Sequence, residues 1–300
     1  MPTFLKRTRF LFKETFSEFI DDNALKLSAA LSYYTIFSLP PLLIIIISLS
    51  GVFFGNEAVK GELFGQISGL VGEKSAMFIQ ETIRNVTLST SNTFATTIGV
   101  IILLIGASGV FAEIQDSINY IWGIKAKPKK GFIKFVINRL TSFSMIGSMG
   151  FLLLVGLIFN SLLEVLNQRL LNYFPIDTFY FIYAINNLVV FIIITLLFTL
   201  IFKTLPDGKI DFKDCLIGAS FTTFLFMIGK FAIGAYLANS YLTTVYGATA
   251  SVILILGWVY YSAIILYFGA EFTKVYALTH GNKIIPNEYS VRILKTEITE

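Results

Sequence analysis

Long apolar runs separated by short polar stretches dominate this chain. The first run has no charged residue between Ala29 and Phe54, and about 20 apolar residues of helix suffice to cross a hydrocarbon layer of roughly 30 Å. Six such runs predict an all-α, polytopic membrane protein. Its six transmembrane helices are expected at about residues 29–53, 94–112, 140–163, 180–202, 215–238 and 247–270.

Other segments accompany the predicted six-helix transmembrane domain, which covers residues 24–275. Residues 1–23 mix basic and apolar positions at helical spacing, which is typical of an amphipathic helix lying at the membrane interface. The connection 55–92 also repeats apolar residues at helical spacing, so we expect a helical extracytoplasmic segment between the first two spans. Residues 276–300 are expected to form a partly helical cytoplasmic tail with a loose end.

Composition and charge agree with a membrane location. The chain is 55% hydrophobic and 14% charged, whereas about 25% of the residues in a soluble domain are charged. An even number of spans puts both termini on one side, which then holds 18 of the 23 lysines and arginines, against 4 on the other side and one inside a span. Because cytoplasmic loops are enriched in positive charge, both termini are predicted to be cytoplasmic.

The first span contains two consecutive prolines near its middle, Pro40 and Pro41. Each lacks an N–H group, so the carbonyls of Ile36 and Phe37 lose their helical donors. In a membrane those carbonyls must be satisfied by neighbouring helices or water. The pattern predicts a kink or break at mid-membrane, where freed carbonyls could line a path for a polar solute.

Lys230 is the only formally charged residue well inside a predicted span. A charge at that depth is costly and usually faces a cavity or a partner. Thr223 and Gly234 share its helical face. We therefore include Lys230, Thr223 and Tyr34 with the proline region in a candidate substrate path. The alternative, that Lys230 snorkels toward the outer interface, is equally supported by its position.

Acidic and amide side chains cluster at the predicted cytoplasmic ends of the second and sixth spans. Glu113, Asp116 and Asn119 follow at three-residue spacing, and Glu271 ends the sixth span on the same side. One hypothesis makes these residues a cytoplasmic gate or a proton-linked site. The better supported alternative is simple contact with the lysine-rich connector and nearby loops.

The sequence offers little to an enzyme hypothesis. Cys215 and His280 are the single residues of their types, which excludes an internal disulfide and any cluster of imidazole ligands. No phosphate-binding loop or nucleophile motif occurs. We expect no catalytic residue, metal site or cofactor. The basic connector at 125–139 could bind RNA nonspecifically, but membrane topology already accounts for its charge, so no specific nucleic-acid partner is expected.

Several stretches resemble the YihY/BrkB family of bacterial inner-membrane proteins. They are INYIWGI around Asn119, Leu205 with Pro206, Gly218 with Ala219, and two longer runs, SAALSYYTIFSLPPLLIIII and YGATASVILILGWVYYSAIILYFGAEF. The resemblance covers about residues 24–277. It implies a six-helix plasma-membrane protein without an agreed molecular activity; some members were labelled a ribonuclease or a virulence factor aiding serum resistance. The doubled proline departs from the family, in which a single proline is commoner.

Together these features favour a transporter, either an exporter or a flippase-like protein, with a central cavity lined by spans one, five and six. Its partners would be membrane lipids and a polar, anionic or amphiphilic solute, and the sequence leaves a homo-oligomer open. A non-transporting scaffold in envelope assembly, using residues 55–92, is the alternative. A membrane ribonuclease is a distant third.

Overall fold

The protein is described here from a computed structural model, which covers residues 2–54, 93–127, 177–238 and 250–293 together with isolated positions between 64 and 81 and between 140 and 148. The predicted third span and most of the predicted outer segment lie outside the described residues. The helices are α1 (Pro2–Asp21), α2 (Ala24–Phe54), α3 (Thr93–Ile121), α4 (Asp177–Thr204), α5 (Phe212–Ala238) and α6 (Ala250–Thr279). The strands are β1 (Ile124–Ala126), β2 (Gly208–Lys209), β3 (Ile285–Pro286) and β4 (Ser290–Arg292).

The last helix, α6, lies at the centre of the described structure. It packs against α1, α2, α3 and α5, while α2 also packs against α3, and α4 packs against α5. Tyr267, Ala270 and Glu271 of α6 are completely buried. A helix enclosed on several sides needs an apolar surface all round, and α6 has one except at a few polar positions near its C-terminal end.

Three stretches of the described helices are long and apolar enough to cross a membrane: Asn187–Thr204, Phe212–Lys230 and Val252–Thr279. They coincide with the predicted spans four, five and six. The helices extend beyond the predicted apolar cores, since α3 continues past Ala112 and α6 past Ala270. A charged residue ends an apolar run but need not end a helix, because the backbone hydrogen bonds of a helix form with charged and apolar side chains alike.

The two prolines do not break the first span. Pro40 and Pro41 both lie inside α2, which continues to Phe54. The predicted break is therefore wrong at the level of secondary structure. Proline removes single hydrogen bonds, whereas the bonds on both sides of it and the neighbouring helices keep a membrane helix intact.

A sharp turn joins α1 to α2. The amide of Asp22 donates to the carbonyl of Glu18 at 2.8 Å, and that of Asn23 donates to Ile20 at 3.0 Å. Asn23 has a φ of 52°, in the left-handed region, which asparagine tolerates better than most residues. The turn separates α1 from α2, and the end of α1 packs against α6 through Phe19 and Phe268.

The described part of the tail after α6 forms two short strands, and residues 294–300, which include the end predicted to be loose, lie outside the described residues. β4 pairs with β1 in antiparallel register, Ile124 opposite Arg292, and β3 pairs with β2, Gly208 opposite Pro286. The tail thus joins the connector after α3 to the turn between α4 and α5. β3 and β4 also contact each other, so the connector, the turn and the tail lie together.

Candidate functional site

The residues of the predicted substrate path occupy different environments. Ile36 packs beside Ile255 and Val259 of α6. Tyr34 and Phe37, in contrast, are 47% and 63% exposed. The side chains of residues 40–54 lie outside the described ones. The described part of α2 therefore does not bring these positions into one enclosed cavity.

Lys230 lies on the same side of α5 as Thr223, and at Thr223 this side faces α4. Thr223, about two turns away on the same stripe, is buried and accepts a hydrogen bond of 3.1 Å from Thr195 of α4. Lys230 itself is exposed and makes no hydrogen bond or ion pair with another described residue. Beyond the Thr195–Thr223 bond, Phe226 of α5 contacts Phe198 of α4, with ring centroids 6.1 Å apart.

A different stripe of α5 packs against α6. Gly218 of α5 lies under Thr273 of α6, and Gly269 of α6 lies under Thr222 of α5. Each threonine hydroxyl donates to the glycine carbonyl one turn earlier on its own helix, at 2.7 Å in both cases. Small residues let two backbones approach closely, and here each helix supplies one glycine and one threonine to a reciprocal contact.

The four predicted gate residues do not form a single group. Glu113 accepts a hydrogen bond of 3.3 Å from Ser117 within α3, and burial raises the pKa of its carboxyl above the ordinary value. Asp116 is exposed, whereas Asn119 is buried. Glu271 belongs to a separate cluster on α6. A three-residue spacing drifts around a helix by about 60° per step, which separates the environments of the first and third residues.

Asn119 belongs to a buried hydrogen-bond network centred on Asp207. The Asn119 amide nitrogen donates to Asp207 Oδ2 at 3.0 Å, and the Asp207 backbone N–H donates to Asn119 Oδ1 at 2.7 Å. Gln115 donates to Asp207 Oδ1 at 3.3 Å, and the Ser290 hydroxyl donates to the Asp207 carbonyl at 2.7 Å. This network links α3, the α4–α5 turn and the tail.

A second cluster joins α1 to α6, and we call it the carboxylate cluster. The ammonium of Lys274 contacts Glu18 Oε2 at 2.5 Å, Glu271 Oε2 at 3.0 Å and Asp22 Oδ2 at 3.4 Å. The side chains of Glu271 and Asp22 are 0% and 4% exposed, and that of Lys274 is 12% exposed. Oxygens of the three carboxylates all lie within 4.8 Å of one another.

Sequence reasoning identified Asn119 and Glu271 but missed their partners. Asp207 lies in a turn whose Pro-Asp-Gly composition only indicated a bend. Glu18 and Asp22 are four residues apart on α1, and Glu271 and Lys274 are three apart on α6, so each pair shares a helix face. That spacing was the available signal for the carboxylate cluster.

A protein-family model described as Virulence factor BrkB matches residues 15–290. This chain belongs to the BrkB family. The matched range includes both the Asp207 network and the carboxylate cluster, and the resemblance of its sequence to the YihY/BrkB family is confirmed. No solved structure matches the chain at a significant level.

Relatives of this BrkB-family chain are named only as membrane proteins. It is 27% identical to a UPF0761 membrane protein of Saccharophagus degradans, over 89% of this chain and 59% of the relative. It is also 27% identical to a UPF0761 membrane protein of Teredinibacter turnerae, over 92% of this chain and 64% of the relative. The identity to a UPF0761 membrane protein of Vibrio vulnificus is 27%, over 90% of this chain and 82% of the relative. The chain thus spans about three fifths of the length of the first two relatives. It is an integral membrane protein of the BrkB family.

Proposed function

We propose that this BrkB-family protein transports an anionic amphiphile across the cytoplasmic membrane, as an exporter or a flippase-like protein. The observation that supports this proposal is the exposure of Lys230 on the apolar helix α5, where it is the last residue of the membrane-compatible stretch Phe212–Lys230. Lys230 follows the Thr195–Thr223 bond on the α4-facing stripe of α5. A cation there is accessible from the side of the helix bundle. It fits a ligand that has a negative group and an apolar part, and that enters from the lipid phase.

The position of Lys230 also modifies the sequence-based picture of a central cavity between spans one, five and six. The α6-facing stripe of α5 contains Gly218 and Thr222, where the two helices are in close contact. Lys230 lies about 100° around the helix from that stripe. The proposed site is therefore on the α4 side of α5, with α6 as the support behind it.

The proposed membrane placement puts both termini in the cytoplasm and α1 at the interface. Leu11 and Phe19 of α1 are buried, with Phe19 against Phe268 of α6, while Phe16 is 61% exposed and Ile20 49% exposed. Its basic residues are exposed as well: Lys6, Arg7, Arg9 and Lys13. Exposed aromatic and basic side chains on one helix suit the boundary between acyl chains and anionic headgroups.

Flux measurements on reconstituted liposomes test the proposal. The purified protein would be assayed with a panel of fluorescent anionic, zwitterionic and cationic amphiphiles, as wild type and as Lys230→Ala and Lys230→Arg. We expect flux of an anionic probe to fall about tenfold in Lys230→Ala, which corresponds to about 1.4 kcal/mol of lost interaction, and to be partly retained in Lys230→Arg. Lys209→Ala, at an exposed lysine of β2, is the matched control and should transport normally.

Two results would contradict the proposal. Equal flux in wild type and Lys230→Ala would remove Lys230 from the transport path. No flux of any probe by folded wild-type protein would instead favour a scaffold in envelope assembly. In that case deletion of residues 55–92 should abolish partner capture in a pull-down.

A further inference from the structure

An open cavity lies between the first turns of α1 and the C-terminal end of α6, and we call it the α1–α6 pocket. It has a volume of about 340 Å³ and is lined by Lys6, Arg7, Phe10, Thr279 and His280. This volume is at the lower end of the range of about 300–1,000 Å³ that is usual for small-molecule sites. The pocket therefore suits a small chemical group rather than a large cofactor.

The α1 wall of the pocket has two cations and one aromatic ring on a single helical face. Arg7 and Lys6 come three and four residues before Phe10, so the three side chains are neighbours on the helix surface. Lys6 and Arg7 are exposed, and neither makes an ion pair or a hydrogen bond with another described residue. Phe12, further along α1, packs against Phe272 of α6 with ring centroids 6.1 Å apart, which holds this wall against α6. Both positive charges can therefore act on a ligand.

The α6 wall of the pocket ends in an aromatic stack. Phe272, Tyr276 and His280 follow at four-residue spacing, with ring centroids 6.2 Å apart for the first pair and 5.3 Å apart for the second. The rings of Tyr276 and His280 are almost parallel, at 11°. Thr279 Oγ1 lies 2.7 Å from His280 Nδ1. The stack and this hydrogen bond orient the imidazole, and Nε2 remains as the ring nitrogen that can contact a ligand.

The charges around the pocket favour an anion on its α1 side. The lining contains a lysine and an arginine and no carboxylate. Two acids near the end of α6 face other groups, since Asn282 donates to Asp211 Oδ2 at 2.5 Å and Gly281 lies against Asp214. A helix is positive at its N-terminal end and negative at its C-terminal end. The start of α1 therefore attracts an anion, whereas the last carbonyls of α6 repel one.

We infer that the α1–α6 pocket binds a terminal phosphate group, on an anionic lipid or on a small soluble phosphate ester. Such a group has a charge of about −1.5 to −2 and three acceptor oxygens, which matches two cations better than a carboxylate does. The guanidinium of Arg7 can donate to two of these oxygens, and Lys6 adds a second charge. His280 Nε2 donates a further hydrogen bond when it carries a proton. Phe10 offers an apolar surface to the rest of the ligand.

Binding measurements on the full chain in detergent test this inference with two probes. Native mass spectrometry compares phosphatidate with phosphatidylcholine, and isothermal titration calorimetry compares glycerol phosphate with acetate. Both use Lys230→Ala as the parent protein, so that the proposed transport site does not contribute. Arg7→Ala and Lys6→Ala should each weaken phosphate binding about tenfold, because each removes a charge-assisted hydrogen bond. Arg9→Ala, which removes a charge from an exposed position of α1 outside the pocket lining, is the matched control and should bind normally.

The two probes also distinguish the two sources of the phosphate. Tight binding of phosphatidate alone assigns the site to a lipid headgroup, and tight binding of glycerol phosphate alone assigns it to a soluble ester. The inference is wrong if the folded parent protein binds neither probe more tightly than its comparator, an outcome that needs no pocket variant. It is also wrong if Arg9→Ala weakens binding as much as Arg7→Ala, since general attraction to a basic helix would then explain the binding. Neither outcome bears on transport through Lys230.

Discussion

Replacing Gly218 by alanine introduces a methyl group into a close contact between α5 and α6. The new Cβ would lie 1.9 Å from Thr273 Oγ1 and 2.8 Å from Thr273 Cβ. Rotating the threonine would relieve the first clash but break its 2.7 Å hydrogen bond to the Gly269 carbonyl, at a cost of about 0.5–1.5 kcal/mol. The clash with Cβ does not depend on rotation, so the helices must separate, and overpacking of this kind costs about 1–3 kcal/mol.

The better helix propensity of alanine offsets about 0.5–1 kcal/mol of this cost. A net destabilisation of about 1–3 kcal/mol is therefore expected for Gly218→Ala. Gly257→Ala is the matched control, because a Cβ at Gly257 of α6 would meet nothing within 4 Å. That variant should be stabilised by about 0.5–1 kcal/mol. The two variants should then differ by roughly 10-fold or more in their unfolding equilibrium constants.

Denaturant unfolding in detergent micelles, followed by circular dichroism, measures this difference, provided that the denaturant slope is unchanged. A double-mutant cycle with Thr273→Ala assigns the effect to the contact. Thr273→Ala removes the atoms that the new methyl group would meet at 1.9 and 3.1 Å, so it should recover part of the lost stability. If Gly218→Ala were as stable as Gly257→Ala, the close packing of α5 on α6 described here would be wrong.

Three further predictions concern the Asp207 network, the carboxylate cluster and the membrane topology. Asn119→Ala should destabilise the protein by about 1.5–3 kcal/mol in the same unfolding assay, because it removes hydrogen bonds to the buried carboxylate and backbone of Asp207; Lys125→Ala, at an exposed position nearby, should have little effect. Lys274→Met should cost about 3–5 kcal/mol, since it leaves buried carboxylates without their counter-charge, and a stable variant would contradict the cluster geometry. For topology, an impermeant thiol reagent applied outside the cell should label a cysteine placed at Lys74 and not one placed at Lys125; the reverse pattern would invert the proposed orientation.

The described helices follow closely from the apolar runs, because a bilayer demands long uncharged segments and excludes other backbone structures. The ends of α3 and α6 were harder to predict. Glu113 and Glu271 terminate apolar stretches, yet both helices continue because packing against neighbouring segments stabilises them. The prolines of α2 led to the alternatives of a kink or a break. The break is wrong, because the loss of single hydrogen bonds leaves the helix continuous, and the kink stays a prediction.

The sequence predicted only some residues of the Asp207 network and of the carboxylate cluster. Asn119 and Glu271 stood out as polar residues beside apolar helices, but their partners come from distant parts of the chain. The partner of Asn119 is Asp207, in the turn between α4 and α5, and α1 brings Asp22 to Glu271. A periodic pattern shows which residues share one face of a helix. It does not show which other helix packs against that face, because this depends on the packing of the whole bundle.

The short strands of the tail have a consequence for the order of assembly. β3 and β4 are made after α6, but their partners β2 and β1 belong to connections synthesised earlier. Until the tail arrives, the backbone groups of those connections can bond only to water or to transient partners. Pairing between distant segments forms late because closing a long loop has an entropic cost. The two strand pairs of the tail can therefore form only after α6 has been made and packed, and they then fix its C-terminal end to the two connections.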